Sequence, residues 1–98
     1  MQVRYENAEL QKMYEDPSYR SKRWNRDIIK AYRKVMQWII DADHETDLYA
    51  LKSLRYEKLK ADRVGQRSLR LNDQFRLIVQ LETQQSRIVF IVEIVDYH

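Results

Sequence analysis

The chain has 98 residues, 44% hydrophobic and 34% charged, which fits one globular domain over residues 1–98 rather than a disordered segment. With a single Gly, a single Pro and no Cys, it lacks Gly-rich phosphate loops, disulfide scaffolds, Cys-ligated metal sites and thiol catalysis. The net charge of +3 hides an uneven distribution: residues 20–38 carry +6 and residues 52–76 carry +5, with acidic stretches between and around them. Two basic blocks in so short a chain favour a polyanionic partner, nucleic acid above all.

In chain order, Gln2–Tyr5 is a short strand candidate. Leu10, Met13 and Tyr14 then share one face at helical spacing until Asp16-Pro17 interrupts them. Residues 21–41 form the clearest helix, with an apolar stripe of Ile28, Tyr32, Val35, Met36 and Ile39. Arg23, Arg26, Lys30, Arg33 and Lys34 lie mostly off that stripe. A shorter helix follows, capped by Thr46 or Asp47, with Leu48, Leu51 and Leu54 as its apolar face.

The period then changes to two. Leu69 and Leu71 alternate with Ser68 and Arg70, and Asn72-Asp73 signals a turn. Phe75, Leu77, Val79 and Leu81 alternate with Arg76, Ile78 and Gln80. Residues 82–86 read as a hairpin loop. Residues 87–95 are apolar at nearly every position, the pattern of a strand covered on both faces. Helices followed by strands predict an α+β domain, with helices packed on one face of a small, mainly antiparallel sheet. The longest apolar run, residues 88–92, is far below the roughly 20 residues of a membrane helix. The opening residues have no apolar export segment, so a cytoplasmic protein with no membrane partner is expected.

Most familiar chemistries fail on this composition. There is no His-Glu-x-x-His pair, and a zinc site would have to bring together His44, His98 and carboxylates. RNA cleavage by the substrate's own 2′-hydroxyl needs less. It takes a base near that hydroxyl, cations on the phosphoryl oxygens and an acid for the departing 5′-oxygen. Lys60, Arg63, Arg70 and Arg76 are candidate cations, and Glu57, Tyr97 and His98 candidate proton carriers. A tyrosine, ordinarily titrating near 10, needs cations beside it to act as a base, whereas a histidine near 6.5 does not. Read alone, Arg76 also fits a solvated arginine on the open face of a sheet.

Two segments are more specific. Glu57-Lys58-Leu59-Lys60-Ala61-Asp62-Arg63-Val64-Gly65-Gln66-Arg67-Ser68-Leu69-Arg70-Leu71-Asn72-Asp73-Gln74-Phe75-Arg76 resembles a block of the HigB branch of the RelE/ParE toxin superfamily. Val92-Glu93-Ile94-Val95-Asp96-Tyr97-His98 is similar to that family's carboxyl-terminal pattern. The resemblance implies a RelE-like fold and a toxin of a type II toxin–antitoxin system. Such a toxin inhibits translation as a metal-independent endoribonuclease that cleaves messenger RNA in the ribosomal A site, with no cofactor. A helix-turn-helix (HigA-like) antitoxin would neutralise it.

On this resemblance the family's catalytic lysine matches Lys60, its arginine Arg76, and its terminal tyrosine and histidine Tyr97 and His98. Glu57 stands where some members carry a further histidine, and Ala61 where the family usually has glycine. The general base stays open among Glu57, Tyr97 and His98. Arg63 and Arg70 join the expected RNA contacts, and the helix cations Arg23, Arg26, Lys30 and Arg33 would hold ribosomal RNA or receive an acidic antitoxin segment. The alternative is a ParE-like, non-catalytic DNA gyrase inhibitor of the same fold. A third reading is a non-toxic RNA-binding module. The gyrase inhibitor would not need the Lys60, Arg76, Tyr97 and His98 set.

Overall fold

The computed structural model describes residues 1–83 and 85–97. Strand β1 (Gln2–Tyr5) leads into helices α1 (Ala8–Glu15), α2 (Arg26–Asp41) and α3 (Glu45–Ala50). Strands β2 (Glu57–Lys58), β3 (Gln66–Arg70), β4 (Phe75–Gln80) and β5 (Ile88–Asp96) follow, with 3₁₀ turns at Lys52–Leu54 and Ala61–Arg63. The strands form one sheet in the order β1-β5-β4-β3-β2, antiparallel except where β1 runs parallel to β5. Three helices against one face of this sheet give the expected α+β architecture. Among the described residues no helix is long and apolar enough to cross a membrane.

Side-chain caps fix where the helices begin. Asn7 Oδ1 accepts the Leu10 N–H at 2.9 Å to start α1, and Asn25 Oδ1 accepts the Ile28 N–H at 3.0 Å to start α2. The α2 stripe of Ile28, Tyr32, Val35, Met36 and Ile39 is buried as the spacing predicts. The helix nevertheless starts at Arg26, not near residue 21. Ser21 Oγ takes the N–H groups of Arg23 and Trp24, which folds residues 21–24 into a turn instead.

The next helix starts at Glu45, one residue before the expected cap at Thr46 or Asp47. Asp47 still caps it, from inside the first turn, by accepting the backbone N–H groups of Asp43 and His44 at 3.0 and 3.2 Å. Those bonds hold its carboxyl below the usual aspartate range. Leu51 ends this helix, and Leu54 is buried from the following 3₁₀ turn, so the predicted face is split between two elements.

Leu69, Leu77, Val79, Val89, Ile91 and Ile94 pack into the core beneath the helices. Ile78 faces Glu93 and Val79 faces Ile91, which leaves Val92 as an extra residue on β5. This bulge switches the inward phase from Val89 and Ile91 to Ile94. Strand β5 is therefore apolar in both phases for a different reason from the one expected. Its far face is only half-buried at Phe90, Val92 and Val95, and the deeply buried central strand is β4.

Burial also sets the alkaline behaviour. It pushes the Tyr5 phenol up to about 12 and raises Tyr32 and Tyr56 as well. The Tyr32 hydroxyl donates to Leu10 O at 2.7 Å. Because folding favours the neutral phenols, their contribution is complete below about pH 10, the unfolded value, and is lost as pH rises through the folded values. In a titration followed at 295 nm, the buried Tyr32 and Tyr56 should ionise only as circular dichroism reports unfolding.

Candidate active site

The sheet face turned away from the helices gathers most of the expected site. At the β3–β4 turn, Asn72 Oδ1 accepts the N–H groups of Gln74 and Phe75 at 2.8 and 2.7 Å. Over this turn lies Arg76, only 9% exposed, whose Nη1 donates to Asn72 O at 2.7 Å and Phe75 O at 3.2 Å. Among the described residues, Nε and Nη2 have no hydrogen-bond partner, which leaves part of the guanidinium fork available to an anion.

Tyr97, 50% exposed, follows the last strand directly, and its backbone N–H donates to Gln74 O at 2.6 Å. Gln74 Nε2 in turn donates to Asp96 Oδ2 at 3.1 Å. The Tyr97 ring centroid lies 4.6 Å from the Arg76 guanidinium carbon, a cation–π contact. Arg70 stands opposite Arg76 in register and pairs with Asp73 through Nη2 and Oδ1. That hydrogen bond holds the Asp73 carboxyl below its usual range and offsets one of two neighbouring like charges.

Glu57 lies opposite Ser68 on the same face and is exposed. Arg63 Nη1 donates to Gln66 Oε1 at 2.9 Å and to Glu93 Oε2 at 3.3 Å, so this cation is tied across the sheet. Glu93 was not singled out from sequence, although it is the one charged residue within the apolar run of residues 88–95. Lys60 is exposed at the β2 edge, immediately before the 3₁₀ turn. His98 lies outside the described residues.

The loop that carries Lys60 is strained at Ala61, which sits at φ +60°, in the left-handed region that favours glycine. Ala61→Gly should therefore stabilise the fold by about 0.5–1 kcal/mol despite glycine's larger unfolded-state entropy, as read by urea unfolding.

The α2 cations form a separate surface on the helical side. Tyr19, Arg20, Trp24, Arg26, Lys30 and Arg33 line a groove of about 920 Å³. Arg33 is committed to structure, donating from Nε to Met13 O at 2.7 Å and from Nη2 to Asp16 O at 3.0 Å. Arg23 stacks 5.0 Å above the Trp24 ring. Arg20, Arg26 and Lys30 make no ion pair among the described residues. Trp24 meets Phe75 edge-on at 5.3 Å, so one wall of the groove touches the residue before Arg76.

Comparison with known proteins matches residues 3–98 to the family model of the HigB-like toxin, described as the RelE-like toxin of the type II toxin–antitoxin system HigB. The chain belongs to this family. As a type II toxin it has an antitoxin as its expected partner. Among solved structures, a YoeB/ParE toxin from Agrobacterium tumefaciens is similar, with a TM-score of 0.59 and 10% identity over 100% of both chains, a likeness of fold. No curated protein matches the chain.

One polar cluster of the toxin went unrecognised in the sequence. Glu45 and Arg67 are 4% and 5% exposed and pair at 2.6 Å beneath the sheet. In the charge pattern they are ordinary members of an acidic and a basic block, and nothing local marks them as buried partners.

Proposed function

We propose that this toxin inhibits translation by cleaving messenger RNA in the ribosomal A site, acting in the cytoplasm and neutralised by a helix-turn-helix antitoxin. The reading rests on the contact between the nearly buried Arg76 guanidinium and the half-exposed Tyr97 ring, 4.6 Å apart on the open sheet face. In the reaction, the 2′-oxygen bonds to phosphorus as the bond to the 5′-oxygen breaks. One proton leaves the 2′-hydroxyl and one reaches the departing 5′-oxygen, so the products are a 2′,3′-cyclic phosphate and a 5′-hydroxyl.

Arg76 supports this chemistry with free N–H groups for the non-bridging oxygens, where negative charge builds in the transition state. Lys60 adds positive charge from the loop, and Arg70 adds it from the opposite strand with its charge partly offset by Asp73. Tyr97 and His98 are the proposed proton carriers at the 5′-oxygen, and Glu57, Tyr97 and His98 remain the choices for base at the 2′-hydroxyl. Arg23, Arg26 and Lys30 are the proposed contacts to ribosomal RNA, with Arg33 adding charge to the groove while its Nε and Nη2 hold Met13 O and Asp16 O. Arg63 joins the RNA-facing set with its charge partly offset by Glu93.

Mapping 5′ ends on a message in a translating extract tests this directly. Cuts confined to ribosome-occupied codons are expected. Intact message together with DNA gyrase inhibition would overturn the reading in favour of the gyrase-directed alternative.

A further inference from the structure

Beneath the candidate site, on the helix side of the sheet, lies a polar trio with no place in the chemistry above. Glu45 Oε1 accepts from Arg67 Nε at 2.6 Å and from the Tyr56 hydroxyl at 2.7 Å. Arg67 Nη1 also donates to Gly65 O at 2.6 Å, and Tyr49 packs edge-on against Tyr56 at 4.8 Å. Burying such a pair costs desolvation that apolar side chains of similar volume would avoid. What the trio adds over apolar packing is direction, because two of its bonds fix Tyr56 and Arg67 against Glu45 of α3.

Its members are joined to the open face through the backbone. Tyr56 immediately precedes Glu57, and Arg67 immediately precedes Ser68, the register partner of Glu57. Side chains alternate along a strand, so a residue held below the sheet aims its neighbour above it. Gly65 closes the loop that carries Lys60. This corner has little else to hold it. Strand β2 is two exposed residues long, and beyond it the ties of this corner among the described residues are the backbone bonds Leu59 N–H to Gln66 O at 3.0 Å and Leu81 N–H to Gly65 O at 3.4 Å, with the Arg63 bonds to Gln66 and Glu93.

We propose that Glu45, Tyr56 and Arg67 form a clasp that positions Glu57 and the Lys60 loop for reaction. They are positioning residues, and the proposal rests on the reading above that this face cleaves RNA. Misplacing a reacting group by about an ångström can cost on the order of a hundredfold in rate. Loosening the clasp should therefore lower turnover without changing how the toxin binds its substrate.

Tyr56→Phe removes one hydrogen bond and keeps the ring and the ion pair. In single-turnover cleavage of message on programmed ribosomes, kcat should fall about 10- to 100-fold with KM unchanged. Hydrogen exchange at the Leu59 amide should quicken at least about tenfold while β4 amides keep their protection. Unchanged kcat would overturn the proposal, as would exchange that rises uniformly across the sheet. Arg67→Lys, which keeps the charge beside Glu45 but loses the fork to Gly65, carries the same expectations if Tyr56→Phe fails to fold. If the unaltered toxin cleaves nothing, the RNA-cleaving reading fails, and exchange alone then decides the clasp. Loosening confined to residues 58–65 upholds it, and uniform or absent change overturns it.

Discussion

Replacing Arg76 with alanine should lower cleavage of ribosome-bound message by two to three orders of magnitude. That is about the effect of removing one preorganised donor from a developing oxyanion. The guanidinium is well placed for such a role. At 9% exposure it is shielded from bulk water, and Asn72 O and Phe75 O hold one of its nitrogens while the rest of the fork stays open. The loss should fall on kcat rather than KM, since the contact strengthens only as charge builds on phosphorus. Stability should drop by about 1 kcal/mol, the net worth of the hydrogen bond to Asn72 O, which unfolding curves can verify. Arg76→Lys keeps the charge, but a point-like ammonium cannot hold the turn and present a fork together, so it should recover only a small part of the rate. A loss below tenfold in Arg76→Ala would show that the residue is structural.

Arg76 also marks how far sequence reading reaches. Its phase was legible, because Phe75, Leu77 and Val79 occupy the other phase of the strand. Its contact with Tyr97 was not, since that depends on Arg76 standing opposite Val95, a register set across the sheet. The α2 stripe was legible for the same reason as the phase: one helix faces one sheet, and the 3.6-residue period records it. Strand β2 left no trace, being two exposed residues with no alternation to read. The β5 bulge was hidden too, because a phase switch within an apolar run looks like burial on both faces. Of the site, Arg63, Arg70, Arg76, Tyr97 and Glu57 come together on one face and Lys60 stands at its edge, while the α2 cations belong to a separate groove. Charge blocks record abundance along the chain, whereas a shared surface is decided by the fold.

The largest loss of stability from a single side chain should come from Glu45→Ala. It would strand the Arg67 guanidinium, 5% exposed, without its carboxylate and take the acceptor from the Tyr56 hydroxyl. Breaking one side of a buried pair costs about 3–5 kcal/mol, a large share of the roughly 5–15 kcal/mol that holds a domain folded. The alternative is that the cavity left by the side chain, not the orphaned charge, dominates the cost. A double replacement separates the two. If the orphaned charge dominates, Glu45→Ala combined with Arg67→Met should recover most of the loss, because removing both charges can be close to neutral. If the cavity dominates, the two costs should add. Urea unfolding of the two single variants and the double variant reads this coupling, and a coupling near zero would mean that the ion pair is incidental to the fold. A strong coupling would explain why two charges persist beneath the sheet. Apolar residues could fill that space, but they could not fix Tyr56 and Arg67 against α3, and Gly65 to Arg67, with hydrogen bonds of 2.6–2.7 Å.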